Sequence, residues 1–147
     1  MIDTDKLLER ENLKKTKARK MILTFLKDNT PQTAADIYEA VRKDDRRLSL
    51  STVYRNCETL ASRGVLLKTN FLEDGLSRYE YPKDGHIHHA ICVRCHKIFP
   101  IDECPFGAFE KTMEDKYDFD VTRHRLEIYG YCHDCKEAMK KEAAEKE

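Results

Sequence analysis

The 147-residue sequence has no tryptophan, five glycines, four prolines and no net charge, its 27 basic side chains being balanced by 27 acidic ones. Zero net charge argues against a protein that coats nucleic acid through bulk positive charge. No apolar run approaches the roughly 20 residues that a membrane helix needs. The opening stretch, MIDTDKLLER, lacks the apolar core of an export signal, so the expected location is the cytoplasm, with no membrane partner. There is no internal repeat and no low-complexity segment. A His-Glu-x-x-His motif and any recognisable nucleophile motif are also missing, which leaves no basis for an enzyme or a small-molecule substrate.

What is present fits a globular chain, with 40% hydrophobic and 37% charged residues in a length suited to one compact domain or two small ones. The charge is unevenly placed. Residues 1–80 carry 16 basic against 13 acidic side chains, and residues 81–147 carry 11 against 14. One half is therefore the better candidate for facing an anion.

Four of the six cysteines form two Cys-x-x-Cys pairs, Cys92/Cys95 and Cys132/Cys135, with 36 residues between the pairs. In a reducing compartment this arrangement points to metal before disulfide. Each pair can form a tight knuckle around one ion, and four thiolates give a closed tetrahedral zinc site with no position for a substrate. A redox dithiol needs Cys-x-x-Cys between a strand and a helix, whereas Cys92 falls late in one strand with another following. Structural zinc is the reading. Cys57 lies on the apolar stripe of a helix and is expected to be buried. Cys104 is read first as a small core residue, with an accessory thiol as the alternative.

After an acidic and basic helical start, Thr16 can cap a helix whose Ala18, Met21, Ile22, Phe25 and Leu26 recur at helical spacing. Asn29-Thr-Pro31 stops it. Thr33 to Asp36 resembles a capped start of a second helix, with Ile37 and Val41 facing inward. A third helix is capped by Ser49 or Ser51, carries the stripe Leu50, Val53, Cys57, Leu60 and Ala61, and ends at Gly64. Residues 65–71 and 76–81 are strand-like and flank a turn at Glu73-Asp-Gly75. Helices followed by a hairpin predict a winged helix-turn-helix. Beyond a hinge at 82–85, the pattern gives a strand over 87–93, a knuckle, a strand over 97–101 and a helix near 106–116. A strand over 119–129 then leads to the second knuckle and a charged terminal helix. The expected fold is α+β, with a winged helix-turn-helix domain at 1–81 and a small α/β domain at 86–147.

Thr16-x-x-Arg19, Thr52-Val-Tyr-Arg55, the His-x-His-His of residues 86–89 and the segment Arg125 to Gly130 resemble the ferric uptake regulator family over essentially the whole chain. The resemblance implies a homodimeric repressor, with the C-terminal domain serving dimerisation and holding metals, and metal binding closing the dimer onto a palindromic double-stranded operator. It implies that Ser51, Thr52, Tyr54, Arg55 and Asn56 reach the DNA from the start of the third helix. Lys14, Lys15, Lys17, Arg19 and Lys20 would contact phosphates, though a solvated basic face reads equally well.

The resemblance further implies two regulatory metal sites. Glu80 and His89 belong to one beside the hinge, and His86, His88 and His124 to a second within the dimerisation domain. Its acidic ligand has no clean counterpart: Gly107 stands at the expected place, with Glu110 and Glu103 as candidates. A satisfied core histidine is the plain alternative for His124, and His96 and His133 are read as solvent-facing. Where many relatives have histidines, this chain has Pro31 and Ile87, and Pro100 stands in place of an acid. Because the oxidised histidines of peroxide sensors occupy the Pro31 and Ile87 positions, that type of sensor is disfavoured. The Asp102-Glu-Cys104-Pro-Phe106 stretch resembles zinc-responsive members, so the expected effector is zinc, with iron(II) or manganese(II) as alternatives. The reading from another class is a zinc-ribbon interaction module without its own operator.

Overall fold

The computed structural model describes residues 3–70, 72, 74–82, 88–122 and 124–146. The chain divides into two compact units, Met1–Asp84 and Gly85–Glu147.

In the first unit, α1 (Thr4–Arg10), α2 (Lys17–Lys27), α3 (Ala34–Val41) and α4 (Leu50–Ser62) each begin at a polar cap. The hydroxyls of Thr16, Thr33 and Ser49 accept from the backbone N–H of Arg19, Asp36 and Thr52, at 3.3, 3.1 and 3.1 Å. Each bond satisfies a donor that the first helical turn leaves open. Gly64, with φ of 76°, ends α4 in the left-handed region, and Val65 N–H returns to Leu60 C=O at 2.8 Å.

The stripes of these helices meet in one core of Leu8, Ile22, Leu23, Leu26, Ile37, Val53, Cys57 and Leu60, closed by Val65, Leu66 and Tyr79. Leu50, expected on the buried stripe, is instead 47% exposed. It is the first residue of α4, one turn short of the packed face. A three-stranded antiparallel sheet completes the unit: β1 (Gln32–Thr33), β3 (Arg78–Glu80) and β2 (Leu67–Thr69), with Leu67 opposite Glu80 and Thr69 opposite Arg78. This is a winged helix-turn-helix, with α4 as its second helix and the β2–β3 hairpin as its wing.

The second unit is a sheet of order β5-β4-β6 with two helices. Strand β4 (His88–Cys92) pairs antiparallel with β5 (Ile98–Ile101) and parallel with β6 (Glu127–Gly130). Helix α5 (Gly107–Tyr117) lies between β5 and β6 in sequence, and α6 (His133–Glu145) follows β6. The strand expected over 119–129 is therefore only four residues long. Among the described residues, 119–126 are in no strand, and His124 lies outside β6. Pairing with β4 begins only at Glu127, opposite His89.

Among the described residues, the buried apolar set of this unit is small, namely Ile91, Cys92, Ile98 and Cys135, while Phe99, Phe109, Ile128, Tyr129 and Tyr131 are exposed. A unit of this size with so thin a core needs an additional tie, such as a metal or a partner subunit.

Candidate functional site

The two Cys-x-x-Cys pairs meet because of the parallel β4–β6 pairing. Cys92 lies opposite Gly130, two residues before Cys132, so both knuckles emerge from the same end of the sheet. The first knuckle turns tightly: His96 N–H donates to Cys92 C=O at 2.9 Å, with His96 in the left-handed region at φ of 65°. In the second, Cys132 is the N-cap of α6 and Cys135 sits in its first turn.

The four sulfurs lie within 4.8 Å of one another, and Cys95 Sγ is 3.7 Å from Cys132 Sγ. Zinc–sulfur bonds of about 2.3 Å in a tetrahedron give sulfur–sulfur edges of about 3.8 Å, so the Cys95–Cys132 pair already has that spacing. Its electrostatics favour thiolate unequally. The backbone N–H groups of Cys95 and Cys132 pull the Cys92 thiol down to about 5, the latter donating to Cys92 Sγ at 3.4 Å. Burial pushes Cys135 up to about 12, with its thiol neighbours adding to the shift. A bound cation would remove that last proton. Arg94 braces the site by donating to Cys135 C=O at 3.4 Å and pairing with Glu142 of α6. His96 and His133 are exposed.

A second cluster lies between β4 and the segments flanking α5. His88 is buried on β4, and its Nε2 is 3.3 Å from Nε2 of His124. Cys104 Sγ lies 3.1 Å from the same His124 nitrogen, and the three ligand atoms fall within 4.8 Å of one another. Glu110, on the first turn of α5, accepts from Nδ1 of His124. The Phe106 ring stands edge-on to both imidazoles, at 4.9 Å from His124 and 6.2 Å from His88.

The arrangement bears on three expectations. His124 is half-buried, with Glu110, Cys104 and His88 at its ring nitrogens and the Phe106 ring beside it. Glu110 lies behind His124, where it orients the ring, and is not one of the three clustered ligand atoms. Cys104 is exposed, not a core residue, and enters the cluster in the place anticipated for an acid. Glu103 is exposed and belongs to neither cluster found among the described residues. His86 and Ile87 lie outside the described residues. Glu80 of the first unit and His89 of the second are both buried. Cys57 is buried as expected, and burial pushes its thiol up to about 12, which leaves it inert at neutral pH.

On the first unit, the start of α4 presents Ser51, Tyr54 and Arg55 to solvent, Tyr54 being 51% exposed. Leu50, Tyr54 and Arg55 line a cleft of about 640 Å³ with Leu76 of the wing turn and Thr33 at the start of α3. Thr52 spends its backbone groups internally, receiving Asn56 Nδ2 on its carbonyl at 3.0 Å. Asn56 Oδ1 accepts from Arg19 Nε at 3.1 Å, so these two expected DNA contacts are tied to each other and brace α2 against α4. The basic cluster is largely paired as well: Lys15 with Glu9, Lys17 with Asp45 at 3.7 Å and Lys20 with Asp5 at 3.5 Å. Lys14 has no ion pair among the described residues.

Sequence reading missed Glu58. It accepts from Lys68 of β2 at 2.8–3.0 Å and from the hydroxyl of the buried Tyr79 of β3, fastening the wing to α4. Helical spacing could not signal it, because Lys68 and Tyr79 lie on the strands of the wing and not on α4.

Comparison with known proteins agrees with this geometry. Residues 10–129 match the profile of the ferric uptake regulator family. The peroxide-responsive repressor PerR of Staphylococcus aureus is 32% identical over 131 residues, an alignment covering 88% of this chain and 87% of that protein. The ferric uptake regulator of Vibrio cholerae superposes with a TM-score of 0.75 at 26% identity, covering 88% of this chain and all of that one. A zinc-bound manganese uptake regulator superposes with a TM-score of 0.71, also at 26% identity, covering 88% and 99%. With its winged helix, its four-cysteine cluster and a profile match over most of its length, the chain belongs to the ferric uptake regulator family of metal-responsive transcription regulators.

Proposed function

We propose that this protein is a zinc-responsive repressor, acting as a homodimer on a palindromic operator that controls metal-uptake genes. The domains divide at a hinge over 82–85, with DNA binding before it and metal binding and dimerisation after it. The observation that carries the reading is the second cluster. Two imidazole nitrogens 3.3 Å apart, one ring held by a carboxylate on its far side, form a pre-oriented site for a borderline cation. By resemblance, His86 belongs to the same site. The four-cysteine cluster is assigned a structural zinc, and Glu80 with His89 a secondary site depleted by the residues at 31 and 87.

Zinc in the second site would favour the closed dimer, in which two winged helices fit two half-sites. It can do so only by its differential affinity for that form, typically about 1–3 kcal/mol of coupling. Tyr54 and Arg55 would reach base edges, with Lys14 and neighbouring lysines on phosphates. The exposed Ile128, Tyr129 and Tyr131 on and beside the edge strand β6 suit burial against a second copy.

The test is to select binding DNA from a random pool in the presence of zinc, then titrate it with protein under zinc, iron(II) and manganese(II). Zinc alone supporting tight binding at the lowest free concentration is the expected result. Equal response to manganese or iron would overturn the zinc assignment. The similarity to a peroxide-responsive repressor supplies a second reading, peroxide-triggered release from DNA. Exposure of the iron-loaded protein to peroxide, followed by mass measurement of histidine oxidation, separates the two.

A further inference from the structure

We propose that Cys104 is a metal ligand, so that the regulatory cluster is a two-imidazole, one-thiolate site built for zinc. The inference rests on the proposal that the His88–His124 pair is the sensing site, and it assigns that site a donor of different chemistry from a carboxylate.

Glu110 accepts the Nδ1–H of His124 and so aims Nε2 of that ring into the cluster. Cys104 Sγ lies 3.1 Å and His88 Nε2 3.3 Å from that nitrogen. The three ligand atoms fall within 4.8 Å of one another, so one divalent cation could take all three.

The spacing suits such a cation. Zinc–nitrogen bonds of about 2.0–2.1 Å give a tetrahedral nitrogen–nitrogen edge of about 3.3 Å, and a zinc–sulfur bond of about 2.3 Å gives a nitrogen–sulfur edge of about 3.6 Å. The imidazole pair is at the first value. Cys104 is half an ångström inside the second, a shift its position in the loop before α5 can absorb.

The surroundings also fit a ligand better than a packed side chain. Cys104 is exposed, so burial gives it no reason to point at His124. The Phe106 ring, two residues on, screens both imidazoles from one side and lowers the local dielectric. A thiolate with two imidazoles discriminates against manganese(II), which prefers oxygen donors, and favours zinc.

The experiment uses the full-length protein with its four-cysteine site filled by zinc, and then titrates cobalt(II) into the remaining site. Thiolate bound to cobalt gives an intense near-ultraviolet charge-transfer band, which imidazole and carboxylate do not. The wild type should show this band on adding one equivalent, and Cys104→Ser and Cys104→Ala should lose it while keeping their circular dichroism. Their zinc affinity at the second site should fall by at least about 10- to 100-fold, the range that losing an outer-shell partner already costs. Cys104→Asp should restore binding with its preference moved toward manganese.

Cobalt binding in the wild type without the band, or Cys104→Ser holding zinc as tightly as the wild type, would overturn the assignment. The sensing role of the site would survive that result, provided that His124→Ala abolishes zinc-dependent DNA binding. No cobalt taken up beyond the four-cysteine site would overturn both.

Discussion

Arg19 Nε donates to Asn56 Oδ1 at 3.1 Å, and the Asn56 amide donates in turn to the carbonyl of Thr52 one turn back along α4. Asn56 thereby spends both ends of its amide inside the protein and holds α4 against α2. Its replacement by alanine is expected to cost about 1 kcal/mol of stability in the first unit, the ordinary net worth of such a bond. A shift of roughly 4–8 °C in the thermal midpoint of that unit would register it. Asn56→Ala should not change base preference. Arg55→Ala, which alters an exposed side chain at the start of α4, should weaken the selected operator by about 1–3 kcal/mol relative to random DNA. Equal losses on both DNAs would reassign Arg55 to phosphate.

Glu58 links the wing to the same helix. Bonds from Lys68 first, and then from Tyr79, hold its carboxyl below the ordinary 4.5. Folding therefore favours the charged form. That stabilisation is complete above the ordinary value and disappears as pH falls through the lower folded one. Glu58→Gln should flatten the acid limb of stability against pH, followed by circular dichroism below pH 4.5, while still accepting from Tyr79. Glu58→Ala goes further. It leaves the hydroxyl of a fully buried tyrosine without its acceptor, an expected cost of about 1–3 kcal/mol at neutral pH. A Glu58→Ala protein as stable as the wild type would show that water replaces the carboxylate.

The first unit was largely legible because its signals are local. Thr16, Thr33 and Ser49 cap their helices, and Val53, Cys57 and Leu60 repeat at the period of the face they bury. The second unit depends on distant pairing. A strand was expected over 119–129, yet among the described residues only Glu127–Gly130 pairs with β4, and nothing in that stretch specifies the register. Cys104 was misjudged because cysteine is commonly a buried residue, and its four-residue surroundings carry no periodicity to indicate exposure. The roles of His124 and Glu110 arise from a contact across fourteen residues, which helical spacing cannot reveal.

The four-cysteine cluster should behave as part of the fold. Cys92→Ser or Cys132→Ser is expected to release tightly bound metal and lower both thermal stability and dimerisation, because ion binding is folding free energy in so small a unit. Zinc retention should also fall with acid. Cys135, pushed up to about 12 by burial, must give up a proton to bind, so protons compete directly with the ion. Metal content after dialysis at descending pH measures this. A serine variant with unchanged melting and unchanged dimer content would remove the cluster from the folding argument.

Glu110 separates an orienting role from a ligating one. Its carboxylate takes the Nδ1–H of His124 and so turns Nε2 toward His88. Glutamine can still accept that proton but brings no negative charge to the ring, and alanine can do neither. Glu110→Ala should therefore lower zinc affinity at the second site by about 10- to 100-fold without changing the number of zinc ions bound at saturation, and Glu110→Gln should fall between it and the wild type. His124→Ala removes a ligand, so it should bind one zinc fewer per chain, keep the four-cysteine zinc and lose zinc-dependent operator binding. Glu80→Ala should do less than either. Zinc stoichiometry and an operator titration in each variant distinguish these outcomes. If Glu110→Ala loses a zinc ion outright, even at saturation, Glu110 is a ligand. If His124→Ala binds the full complement and still represses, metal sensing lies outside this cluster.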